Sequence, residues 1–251
     1  MRHTSNIELQ YTTALVELLR LGDKEVLKSH HWDKGEFEKR IIDISAFFPE
    51  LRDHNVLIYL THHRAKTLAS MHPPFFPIGD GADIYLGKLR KMRPEIFIIN
   101  FSRDIFSLDE IAQVLNYSHE FQHVVQYITN KRCYFLSRIM ARLVVSMHEE
   151  DLPTEIDTDR ASKRILETIY GKRKVDDWIN QRLDEDPHSF FIRFGKLDID
   201  AEYDIKQRTM QLWEENHLDE EIERIRNKKR QSKDEQRILK MYDEAMTERG
   251  K

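Results

Sequence analysis

The sequence predicts an α+β protein: a small mixed or antiparallel sheet beside a mostly helical body, continued by a helical C-terminal extension. Three observations predict this. Two short runs rich in β-branched and aromatic residues, Val56 to Leu60 and Pro94 to Phe101, have the length and composition of strands. Between Ser107 and Gly171 apolar residues recur at three- and four-residue intervals, the period of helices packed on a core. Beyond Asp200 large apolar side chains thin out and charges of both signs intersperse, as on solvated helical faces. A chain of 251 residues suits one domain with an appendage. The expected division is a main domain over 1–198 and a charged helical extension over 199–251.

Taken in order, Ile7 to Leu21 reads as an amphipathic helix, apolar at Leu9, Leu15, Leu18, Leu19 and Leu21 and stopped by Gly22-Asp23. Lys34 to Phe48 reads as a second helix with Phe37, Ile41, Ile44 and Phe48 on one side. Val56 to Leu60 follows as a buried strand. Pro73, Pro74 and Pro77 break regular structure, with Phe75-Phe76 anchoring that loop. Ile78 to Asp83 is a Gly-rich turn without the Lys-Ser/Thr of a phosphate loop or the spacing of a dinucleotide fingerprint, so it is assigned no ligand. Ala82 to Leu86 reads as a strand, and Pro94 to Phe101 as the clearest strand. Within it, Ile96 to Asn100 reads either as a strand that pairs with an extended substrate backbone or, equally, as an interior structural strand.

Ser107-Leu108-Asp109-Glu110 has the form of a capping box, with Ser107 at N-cap and Glu110 at N3. It opens a helix from Leu108 to Ile128, stopped at Thr129-Asn130. Lys131 to Glu149 continues as a helix with Phe135, Ile139, Leu143 and Met147 in one stripe. Cys133 at its start reads as a buried thiol. Pro153-Thr154 enters a further helix through Ile165, Leu166 and Ile169, ended by Gly171. Val175 to Leu183 is a short helix that buries Trp178, and Phe190 to Gly195 closes the core. Two long helices then fit the C-terminal region, broken near Asn216-His217 and near Gln231-Ser232.

Composition bounds the function. Apolar residues make up 40%, enough for a core, and charged residues 33%. The formal charge of -4 gives no global case for nucleic-acid binding. The basic run Arg224 to Arg230 is nearly cancelled by flanking acids and reads as a solvated surface or a partner-binding arm. One cysteine excludes a disulfide framework and makes the reducing cytoplasm the expected compartment. No apolar h-region follows Met1, and no stretch approaches 18 apolar residues, so neither a signal peptide nor a membrane span is expected.

The chemistry gathers in Tyr117-Ser118-His119-Glu120-Phe121-Gln122-His123. On a helix, residues four apart share a face, so His119 and His123 can bring two imidazoles to one metal ion. Glu120 lies beside them as a carboxylate able to take a proton from water. A catalytic zinc site needs a third protein ligand while keeping one position open. Glu155, in Glu155-Ile156-Asp157-Thr158-Asp159-Arg160-Ala161, would supply it, and Asp159 one turn on could accept a hydrogen bond from a liganding histidine. Acidic residues also favour helix N-termini for electrostatic reasons alone. The adjacent pairs His30-His31 and His62-His63 point in different directions and make no obvious chelate.

The pattern His119-Glu120-x-x-His123 followed by Glu155-x-x-x-Asp159 resembles that of the gluzincin metallopeptidases. The wider acidic segment is similar to that of the small intracellular ImmA/IrrE-type peptidases. The resemblance covers roughly Pro94 to Ile169 and implies a zincin-like fold. It implies His119, His123 and Glu155 as ligands of Zn2+, Glu120 as the catalytic base, and Asp159 as the partner of His119. Phe121-Gln122 stands where many of these peptidases have Leu-Gly, and Thr158-Asp159 where the small ones usually have Ala-Asn.

The implied activity is hydrolysis of peptide bonds in a protein or peptide substrate, with water activated by zinc and Glu120. Tyr117, Tyr127, His148 and His188 are candidates for the further donor to the oxyanion. Two alternatives stand beside this reading. One is a catalytically weak zinc-binding scaffold acting through protein contacts of the C-terminal helices. The other is an esterase or amidase using the same metal site.

Overall fold

The computed structural model describes residues 7–10, 34–61, 68–78, 84–186 and 190–247. The expected segments from Tyr11 to Leu21 and from Gly79 to Asp83, and the residues His30, His31, His62, His63 and His188, lie outside the described residues. Among the described residues the fold is α+β, mostly helical with a small mixed sheet. No helix there is long and apolar enough to cross a membrane.

The sheet contains β1 (Ile7–Gln10), β2 (Val56–Thr61), β3 (Ala69–His72) and β4 (Phe97–Ser102), in the order β1-β2-β4-β3. β1 and β4 both pair parallel with β2, and β3 pairs antiparallel with β4. The expected helix therefore begins as a strand: Ile7 lies opposite Val56 and Gln10 opposite Tyr59. The apolar-polar alternation of Ile7-Glu8-Leu9-Gln10 has the two-residue period that suits this pairing.

β4 is interior, flanked by β2 and β3, and all six of its residues are buried. This decides against Ile96 to Asn100 as a substrate-pairing strand, since the backbone groups on both sides of β4 are committed to neighbours. β3 ends the sheet on that side.

The parallel step from β2 to β4 crosses over through α2 (Ile84–Met92), which follows α1 (Lys34–Ser45) in the chain. The expected strand at Ala82 to Leu86 is corrected by this helix. Leu86, with Leu89 partly buried one turn on, joins Leu57, Tyr59, Ile96 and Ile98 in one apolar cluster. A spacing of three residues places both leucines on the same helical face. Arg90, also on that face, donates to the carbonyls of Pro94, Ile96 and His72, which satisfies backbone acceptors at the start of β4 and the end of β3.

On the other side of β4, Phe101 meets Tyr117 edge-on with centroids 5.1 Å apart, and Phe37 of α1 meets Tyr117 at 5.6 Å. Tyr117 belongs to α3 (Glu110–Thr129), so aromatic packing fixes this helix on the sheet. The expected cap of α3 shifts by two residues. Asp109 accepts from the Ala112 N–H at 2.8 Å, whereas the Ser107 hydroxyl donates to the Asp104 carbonyl. Asp109 also accepts from the Trp178 indole N–H at 3.0 Å and pairs with Arg182.

α4 (Lys131–Leu143) ends before Met147, correcting the longer helix expected through Glu149, and a 3-10 turn at Glu149–Asp151 follows. α5 (Pro153–Tyr170) begins at the expected proline and stops at Gly171, whose φ of 81° lies in the region glycine adopts without strain. α6 (Lys172–Glu185) buries Trp178, and α7 (Phe191–Lys196) buries Phe194. The C-terminal residues form α8 (Ile205–Glu215), α9 (Leu218–Arg226) and α10 (Lys233–Met246). The breaks fall where expected, and a capping box at Ser232 and Glu235 opens the last helix.

The chain groups into two compact units, residues 1–125 with 162–195, and residues 126–161 with 196–251. The first holds the sheet and its aromatic core. In the second, α8 and α10 pack on α4, and Lys131 pairs with Glu244 at 2.9 Å. The Trp213 ring stacks on Tyr242 at 5.9 Å, with both side chains donating to Asp219. Cys133 is a buried free thiol.

Candidate metal centre

The centre starts from α3. With the Asp109 cap fixing its first turn, His119 and His123 fall one turn apart on the same face. Their Nε2 atoms lie 3.2 Å from one another, and the rings stand nearly perpendicular at 86° with centroids 4.8 Å apart. Two nitrogens bound to one tetrahedral zinc at its usual bond length of about 2.05 Å lie about 3.3 Å apart. The pair is thus set at the bite a metal ion requires.

Glu155 comes from the first turn of α5. One ligand atom each from His119, His123 and Glu155 lie within 4.8 Å of one another, a group of three able to bind a metal ion. His123 is 3% exposed and Glu155 9% exposed. Desolvating a carboxylate is costly without a cation, so a metal ion fits the burial as well as the donor chemistry of this set. A site of two imidazoles and one carboxylate leaves a tetrahedral ion one open position.

Glu120 is buried, 5% exposed, in the next position of α3 after His119. Asp159, one turn beyond Glu155, is 1% exposed and stands outside the three-residue group. Among the residues considered as further donors, Tyr117 is fully buried, bonded to Gln113 and enclosed by Phe37 and Phe101. Burial pushes its hydroxyl pKa well above the ordinary tyrosine value, as expected of a core residue. Tyr127 packs edge-on against Tyr134 and Phe135, and His148 is exposed at the start of the 3-10 turn before α5.

Several residues around Glu155 escape a reading of the sequence. Gln126, 1% exposed near the end of α3, donates to the Thr154 carbonyl and the Asp157 carboxylate at 2.8 Å each, and to the Thr158 hydroxyl at 2.9 Å. The Thr158 hydroxyl passes its own proton to the Thr154 carbonyl at 2.7 Å. The Tyr203 hydroxyl donates to the Pro153 carbonyl at 3.3 Å.

Arg138 of α4 pairs with Glu149 at 3.2 Å and lies over the Tyr134 ring at 5.6 Å. The nearby Tyr134 hydroxyl and, less strongly, the charges of Glu155 and Glu149 raise its pKa further, against the effect of burial. A fixed cation therefore sits within electrostatic reach of Glu155. The only sequence signal for these contacts is residue type. Gln126 and Thr158 are polar at positions of helical period that bury them.

The chain was compared with protein-family models, with curated proteins and with solved structures, and nothing matches it in any of the three. The class the site defines is therefore carried by its geometry: a His-His-Glu group able to hold a metal ion, with a second buried glutamate beside the first histidine.

Proposed function

We propose that this protein is a zinc-dependent hydrolase acting on peptide bonds. The observation that carries the proposal is the convergence of His119, His123 and Glu155 from two helices, with the buried Glu120 following His119 along α3. The mixed imidazole-carboxylate set suits Zn2+ among the common divalent ions, since magnesium and calcium prefer all-oxygen sites. Zinc held there would supply Lewis acidity and an acidified water.

The chain's own residues account for the rest. Glu120 takes the proton of the water that attacks the peptide carbonyl and returns it to the leaving amine. Burial of Glu120, His123 and Glu155 restricts solvent around the reacting groups, which strengthens electrostatic stabilisation there. Asp159 would accept from the far nitrogen of His119 and hold its tautomer. An extended peptide pairs with β3, which ends the sheet beyond β4. The partner class is accordingly a protein or peptide in extended conformation.

The test is cleavage of a mixed peptide library by protein loaded with zinc, comparing wild type with Glu120→Gln at equal metal content. The proposal expects cleavage by wild type and a loss of about 100- to 10,000-fold in the variant, the usual contribution of a general base. Equal cleavage by both proteins would refute Glu120 as base, and no cleavage by zinc-loaded wild type would refute the peptidase activity.

A further inference from the structure

Gln126 is three residues beyond His123 on α3, so it continues the same side of the helix one turn on. Its side-chain amide is almost fully buried. Three of its contacts, the Thr154 carbonyl, the Asp157 carboxylate and the Thr158 hydroxyl, accept from the same nitrogen and share its two hydrogens. Since Thr158 spends its proton on Thr154, it can only accept from Gln126, and the chemistry of the partners fixes the orientation of the amide. These partners bracket Glu155 in the first turn of α5.

We infer that Gln126 is the positioning residue of the metal centre: its amide sets the register of α5 against α3 and thereby holds Glu155 at ligating distance from the histidines. The inference rests on the reading of His119, His123 and Glu155 as metal ligands. A slip of one residue along a helix moves a side chain by about 1.5 Å and turns it by about 100°. Metal-ligand distances are held to about 0.2 Å, so no such slip is compatible with the His-His-Glu group. Apolar packing between helices leaves register loosely specified, because one leucine-sized contact resembles the next. A buried amide with three acceptors admits a single register, since any other leaves polar groups without partners.

The experiment titrates metal-free full-length protein with Zn2+ against a chromophoric chelator, and separately records the visible spectrum of the Co2+-loaded protein. Gln126→Met keeps the length of the side chain and removes its hydrogen bonds. Thr158→Val keeps the shape of its residue and removes one acceptor. Ile222→Val, in the C-terminal core, serves as a control for loss of packing.

The inference expects folded Gln126→Met to bind zinc about 10- to 100-fold more weakly than wild type, the range for residues that orient metal ligands. Its Co2+ spectrum should be altered, Thr158→Val should shift affinity several-fold in the same direction, and Ile222→Val should bind like wild type. A Gln126→Met protein that melts earlier yet binds zinc with wild-type affinity and gives the wild-type Co2+ spectrum would overturn the inference and leave the metal centre standing. If Gln126→Met does not fold, unchanged affinity and spectrum in Thr158→Val would overturn it in the same way. A wild-type protein that binds neither metal overturns the centre and the inference together.

Discussion

At the scale of the residue, the proposed function gives two buried glutamates different duties. Glu155 is the proposed third ligand, and Gln126 and Thr158 hydrogen-bond around it. Glu120 follows His119 on α3 and is the proposed base. The duties separate experimentally. Alanine at His123 or Glu155 should abolish tight metal binding, whereas Glu120→Gln should keep one metal per chain and lose hydrolysis. Equilibrium dialysis of the three variants checks this in one experiment. Asp159→Asn should fall between them, with metal affinity reduced about 10- to 100-fold, because it retains shape and loses the charge that supports a liganding histidine.

At the scale of the element, α3 depends on its first turn. Asp109 caps the helix and receives Trp178 and Arg182 from α6. Asp109→Ala should cost about 1 kcal/mol or somewhat more in a thermal or urea unfolding measurement. The pH dependence follows from the direction of its pKa. Burial pushes the carboxyl up, but hydrogen bonds from Trp178, the Ala112 N–H and Arg182 together with the Arg182 charge outweigh it, leaving the value below the ordinary 3.8 of an aspartate. Its contribution is then complete above pH 3.8 and is lost as pH falls through the lowered folded value. Asp109→Asn should accordingly flatten the acid limb of stability in that window, and an unchanged limb would assign acid sensitivity to other carboxylates.

The same scale shows how much of the molecule was legible in its sequence. Strong periodicity and composition gave α1, β2, β4, α3 and α5, and a helical spacing of four brought His119 to His123. Four-residue β1 was misread because Leu9 also fits a helical stripe; its pairing with β2 is a contact across the chain that no local pattern encodes. α2 was misread in the other direction. Ile84 and Tyr85 favour strands and Gly87 weakens a helix, but packing of Leu86 into the apolar cluster decides. The sequence leaves the role of β4 open because a buried strand looks alike at an edge or in the interior, and the neighbours β2 and β3 decide for the interior. Gln126 carried no local signal, since its acceptors lie 28 to 32 positions away.

At the scale of the whole molecule, the sheet and its aromatic core form one compact unit, and the C-terminal helices with α4 form the other. α3 and α5 carry the residues that could bind a metal ion. Metal binding should therefore be linked to the stability of the folded chain. An ion that binds only the native state stabilises it by about 2.7 kcal/mol at a free concentration 100 times its Kd. Zinc should raise the melting temperature of wild type and leave that of His123→Ala unchanged, read by differential scanning calorimetry.

The central claim is that His119, His123 and Glu155 hold a metal ion. Elemental analysis of protein purified without added metal and then equilibrated with zinc, for wild type and Glu155→Ala in parallel, tests it most directly. The account predicts about one zinc per chain in wild type, lost in a variant whose circular dichroism shows it folded. A wild-type protein without zinc, or a folded Glu155→Ala protein that retains the full complement, would contradict it.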